Sequence, residues 1–152
     1  ASTDVLTKVA SRSYFNEYLL REWKRLQKYQ LPLSLILCKI DFLQIDYQGK
    51  EGYLCHIADT MQKCKIRSTD FIARYSDVEF VMILANNQIK EATEVVKKIQ
   101  NSIESLNIHN EYLKINFAVT SMVPSAESSA FDLMKNLENE LEINKEQLTI
   151  IN

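Results

Sequence analysis

The stretch Phe71-Ile72-Ala73-Arg74-Tyr75-Ser76-Asp77-Val78-Glu79-Phe80-Val81-Met82-Ile83-Leu84 reads as two strands around a polar turn. Phe71 to Tyr75 and Phe80 to Leu84 are rich in aromatic and branched residues, and Ser76 to Glu79 interrupts them, which predicts a β-hairpin. Downstream, Ile89, Ala92, Val96, Ile99, Ile103 and Leu106 recur at spacings of three and four and predict an amphipathic helix. Leu113 to Met122 alternates Ile115, Phe117 and Val119 with Asn116, Ala118 and Thr120, a strand that Pro124 ends. Phe131, Met134, Leu137 and Leu141 mark a last helix, and Leu148 to Ile151 reads as a short final strand. Upstream, Leu54, Ile57, Ala58 and Met61 share one face of a helix over Tyr53 to Lys65. From Asp41 to Gly52 the pattern lapses, and Gly49 and Gly52 suggest a loop. Leu33 to Ile40 suits a central strand, and Pro32 separates it from a helix over Ser11 to Tyr29. Phe15, Leu19, Trp23 and Leu26 line that helix, and Ser11 or Ser13 caps it. The centre of this order is β-α-β-β-α-β. The expected class is α+β: a mainly antiparallel sheet flanked by helices, with a ferredoxin-like core.

The 152 residues suit one domain over the whole chain, and 46% hydrophobic with 25% charged residues is ordinary globular composition. No apolar run is long enough to span a bilayer, and the N-terminus lacks the basic and apolar regions of a signal peptide. The missing initiator Met is what a piece cut from a longer, multidomain protein would show. Eighteen basic and twenty acidic residues leave a net charge of -2, which argues against nucleic acid as a partner. Cys38, Cys55 and Cys64 are odd in number and lack metal-ligand spacing, so free thiols in a reducing cytoplasm are expected. Cys55-His56 with Cys64 reads as the core side of a helix and not as a zinc site. Only two glycines occur where about 7% is usual, so phosphate-cradling glycine loops are absent.

The chain resembles the GGDEF, or diguanylate cyclase, family. Asp4-Val5-Leu6-Thr7 matches its opening DxLT turn, and Arg12 the arginine that follows. Leu33 to Asp41 corresponds to a first strand ending in a DxD-type motif, and Ala73 to Phe80 stands where the family has ARYGG(D/E)EF. Leu141 and Lys145 survive from the late ADxALYxAK segment. The resemblance implies a nucleotidyl cyclase-like fold. In a working member, two carboxylates hold magnesium on GTP, and two GTP molecules are joined into cyclic di-GMP.

The same resemblance marks departures. Lys39 stands where the first metal carboxylate belongs, and Val78 where the signature's metal-binding acid belongs. Ser76 and Asp77 replace both signature glycines, and Glu79 follows. The segment after Asp41 is shortened, with Asp46 the one candidate for a guanine contact, and Thr149 replaces an expected phosphate-binding arginine. A salt bridge between Asp41 and Lys39 is the expected use of that aspartate, and Glu79 is expected to point opposite Val78. Cyclase activity, resident metal and cofactor are not expected.

Arg67-Ser68-Thr69-Asp70 matches RxxD, the family's inhibitory site for cyclic di-GMP, at the required five residues before the signature. An arginine fork can grip the O6/N7 edge of guanine or a phosphate, and a carboxylate can accept from guanine N1-H and its amino group. Lys98 falls where the family often adds a distant basic residue, although an ammonium is a poorer fork. Equally, Asp70 can simply begin a strand, and Lys98 can be an ordinary exposed helix charge. Three readings stay open: a non-catalytic cyclic di-GMP receptor, a ligand-free docking or dimerising module acting with other domains of its parent protein, and a residual GTP enzyme. Tyr14, Tyr18 and Trp23 read as packing residues on a face where an upstream domain could dock.

Overall fold

The structure is a computed structural model and describes residues 2–43, 47–106 and 113–151. Helix α1 spans Arg12–Tyr29, strand β1 Leu33–Phe42, helix α2 Tyr47–Lys63, strand β2 Phe71–Ser76 and strand β3 Glu79–Ala85. Helix α3 spans Ile89–Glu104, strand β4 Leu113–Met122 and helix α4 Ala130–Ile151. The strands form a four-stranded sheet in the order β2-β3-β1-β4, with every pairing antiparallel. The expected α+β class and β-α-β-β-α-β centre are both present.

Strand alternation divides the core in two. Ile36, Cys38 and Ile40 of β1 face α2 and α3, with Phe80, Met82 and Leu84 of β3 beside them. Leu33, Leu35 and Leu37 face α1 and α4, with Val81 and Ile83 beside them. Because β1 is central and covered on both faces, it reads in sequence as a nearly unbroken apolar run. Ser34 interrupts that run near its start, and its buried hydroxyl donates to the Asn87 carbonyl.

Helix α1 starts where predicted: Ser11 caps it, its side chain accepting from the Tyr14 amide. Gln30 closes it in the left-handed conformation, φ 52°. Two expectations fail. Helix α2 begins at Tyr47, so Gly49 and Gly52 lie inside a helix and not in a loop. A side chain at Gly52 would meet nothing within 4 Å, so the glycine serves no close approach there and costs only helix propensity. The second failure is the final strand. Leu148 to Ile151 belongs to α4, since neither proline nor glycine follows Leu141 to stop the helix.

Candidate functional site

The hairpin turn is tighter than its sequence suggests. Strand β2 runs to Ser76 and β3 starts at Glu79, so Asp77 and Val78 alone make the turn. Val78 is therefore not a strand residue, and alternation does not set its direction. Its amide donates to Ser76 Oγ (3.4 Å), and its carbonyl accepts from the Ile40 amide (2.9 Å). The described non-glycine residues with positive φ are Lys8, Gln30 and Asn86, so Ser76 and Asp77 carry side chains without left-handed strain.

A register shift between Arg74 and Ser76 leaves Tyr75 as an extra residue in β2. Its ring lies under the Arg12 guanidinium (3.7 Å), which also donates to the Tyr75 carbonyl (2.7 Å). The Tyr75 hydroxyl donates to Glu138 of α4 (2.9 Å). Burial, together with that bond, pushes this phenol up to about 12. Arg74 reaches the opening turn, donating to Asp4 Oδ1 and Oδ2 (3.3 and 3.4 Å) and to the Asp77 carbonyl (2.8 Å). Asp4 Oδ2 also accepts from the Thr7 amide (2.9 Å) and hydroxyl (2.6 Å). Burial opposes ionisation of Asp4, but the Thr7 bonds and Arg74 outweigh it and hold the carboxyl below its ordinary value.

At this end of the sheet, Ser76, Glu79, Lys39 and Asn116 are successive cross-strand partners on the face toward α1 and α4. Ser76 Oγ donates to Glu79 Oε1 (2.7 Å). Asp41, two residues along β1, does not form the expected pair with Lys39. Its Oδ2 accepts from Asn116 Nδ2 (3.4 Å) and lies 4.0 Å from Lys145 Nζ of α4. A salt bridge to α4 has replaced one along the strand, because a helix packed over the sheet presents Lys145 directly. Asp46 and the side chain of Thr149 lie outside the described residues.

The segment Arg67 to Asp70 forms a turn leading into β2. Asp70 is buried, and its Oδ2 accepts from the amides of Ile66 (3.0 Å) and Arg67 (2.9 Å). Its own amide donates to the Arg67 carbonyl (3.0 Å). Asp70 Oδ1 is buried with no hydrogen-bond partner among the described residues. The Arg67 side chain is 46% exposed, donates long bonds to the carbonyls of Ala85 (3.3 Å) and Asn86 (3.5 Å), and lies 3.9 Å from Glu91. It borders an open groove of about 1250 Å³, shared with Pro32, Asn86, Gln88, Ser121 and Glu140. Lys98 is exposed on α3. It stands seven residues beyond Glu91, thus on nearly the same helix face and about 10 Å further along the axis. The turn brings Arg67 and Asp70 together; Lys98 is near but not joined to them.

On α2, Cys64 is buried as expected, Cys55 is half-buried with its thiol toward the Leu6 carbonyl (3.4 Å), and His56 is exposed. His56 therefore does not belong to the core face assigned to it. Among the described residues, no three His, Cys, Asp or Glu side chains gather to hold a metal ion. No helix among them is long and apolar enough to cross a membrane.

Comparison with known proteins agrees with this architecture. The family model described as "Diguanylate cyclase, GGDEF domain" matches residues 1–149, and the chain belongs to that family. It is 23% identical over 169 residues to diguanylate cyclase A of Treponema denticola, covering 97% of this chain but 45% of that relative. In fold it is similar to diguanylate cyclase SiaD of Pseudomonas aeruginosa, solved with its activator SiaC: TM-score 0.86, 19% identity, covering 97% of this chain and 59% of that one. The GGDEF domain of DgcB from Caulobacter crescentus, solved in complex with c-di-GMP, matches with TM-score 0.81 and 18% identity, covering 96% and 88%.

Family membership implies magnesium, and the residues present do not fit it. An ammonium at Lys39 repels a cation, the Val78 side chain has no donor atom and its carbonyl already accepts from the Ile40 amide, and Asp41 is engaged by Asn116 and Lys145.

Proposed function

We propose that this chain is a GGDEF signalling domain that does not turn over GTP and instead receives cyclic di-GMP at the turn from Arg67 to Asp70. The observation that carries the reading is the state of Asp70. One carboxylate oxygen holds the turn amides, while the buried Oδ1 has no partner among the described residues, three residues from the half-exposed fork of Arg67. A buried oxygen left unpaired is costly unless something else supplies a donor. Guanine would supply one with N1-H or its amino group once Arg67 leaves its long carbonyl bonds for O6 and N7 and the turn opens enough to expose Oδ1. Lys98 adds positive charge further along α3. The catalytic half of the family's chemistry is lost because Lys39 and Val78 replace both metal acids.

One observation favours a second reading. Arg67 already has carbonyl partners and a carboxylate neighbour, so the turn can stand as a finished structural element of a cytoplasmic docking or dimerising module. Equilibrium binding of cyclic di-GMP, with cyclic di-AMP as the control, separates the two readings. Binding of the guanine ligand alone supports the receptor, and binding of neither supports the module. Magnesium-dependent conversion of GTP would overturn the non-catalytic assignment.

A further inference from the structure

The Asp70 turn is gripped from outside by a residue that the sequence marks only for packing. Tyr18, in the middle of α1, donates its hydroxyl to the Thr69 carbonyl (3.1 Å). Its ring stacks on Phe71, with centroids 4.2 Å apart and 13° between planes. Tyr14 meets both rings edge-on, at 6.3 and 5.6 Å, and the Arg21 guanidinium lies 5.4 Å from the Tyr18 ring. Thr69 and Phe71 flank Asp70 on either side. One side chain of α1 therefore holds the residue before and the residue after the carboxylate that organises the turn.

We propose that Tyr18 is the positioning residue that ties α1 to the Arg67–Asp70 turn, so that the placement of α1 sets how well the turn receives its ligand. As a regulation of that site, the proposal rests on the receptor reading above. The coupling is mechanical. A shift of α1 along the sheet draws the Thr69 carbonyl and the Phe71 ring with it, and Asp70 lies between them. Linkage makes it reciprocal: a ligand that fixes Asp70 favours the α1 position that Tyr18 needs. Burial raises the Tyr18 phenol, so the hydroxyl keeps its donor proton throughout the neutral range.

Tyr18→Phe keeps the ring stack and deletes only the hydroxyl bond. In the intact chain, the expected results are a thermal midpoint lowered by about 2–4 °C, the worth of one ordinary hydrogen bond already made without ligand, and cyclic di-GMP affinity weakened by up to about fivefold. Tyr29→Phe, at the exposed end of α1, should bind as wild type does. Amide exchange by NMR supplies a readout that needs no ligand. The amides of Ile66 and Arg67, held by Asp70, should exchange faster in Tyr18→Phe while those of β1 do not change. Equal affinity and equal exchange in wild type and variant would overturn the proposal. If wild type itself binds no cyclic di-GMP, the receptor reading falls, and exchange at Ile66 and Arg67 still decides whether Tyr18 holds the turn.

Discussion

Lys39 stands directly opposite Glu79 across the ladder between β1 and β3, and opposite Asn116 across the ladder between β1 and β4. A cation thus occupies the middle of this row, at the position that the proposed reading assigns to a metal carboxylate. Reversing that charge puts two carboxylates face to face. Lys39→Asp should destabilise the fold by about 0.5 kcal/mol, the usual cost of like charges directly opposite. Urea unfolding monitored through Trp23 would read it.

Restoring both acids should not restore catalysis. Under the proposed reading, Lys39→Asp with Val78→Glu is expected to show no conversion of GTP to cyclic di-GMP with magnesium, because the shortening that the resemblance implies after Asp41 would remove the family's guanine contacts. Product detected by chromatography would mean that segment still holds guanine.

The turn before β2 should report its own energetics. Asp70→Ala removes the acceptor of two part-buried amides and should cost about 1–2 kcal/mol of unfolding free energy. Asp70→Asn keeps an oxygen at that place and should cost less. A cost near zero for both would show that the turn is held by other contacts, Tyr18 foremost.

Asp4 predicts an acid dependence with a definite sign. Its folded-state carboxyl lies below the unfolded value of about 3.9. The associated stability is therefore present above pH ~4 and lost as pH falls through the lowered folded value. Asp4→Asn should be less stable than wild type at neutral pH, with the gap narrowing below pH ~4. A gap that stayed constant in acid would contradict the charge-dependent part of the Arg74–Asp4 contact.

Much of the fold was legible because its signals are periodic. The bounds of strand β4 were readable from alternation, although Asn116 and Ala118, set on its polar side, are buried because both faces of the sheet are covered; α3 was readable from its apolar stripe. The misreadings have local causes. Gly49 and Gly52 are loop-formers by habit, but helix α2 tolerates them where no neighbour presses on Gly52. Leu148 to Ile151 is β-prone in isolation, and context overrode that preference. At the site, RxxD was legible as a motif, yet what its aspartate does was not. The amides it accepts, and the Tyr18 hydroxyl 51 residues away from Thr69, are products of packing that no spacing encodes. The Asp41–Lys145 pair was missed for the same reason.

The central claim is that the Arg67–Asp70 turn receives cyclic di-GMP, and calorimetric titration of the chain beside Arg67→Ala tests it most directly. The account predicts micromolar or tighter binding of a nucleotide dimer by wild type and its loss in the variant. Absence of heat at high ligand concentration, or equal binding by Arg67→Ala, would contradict it.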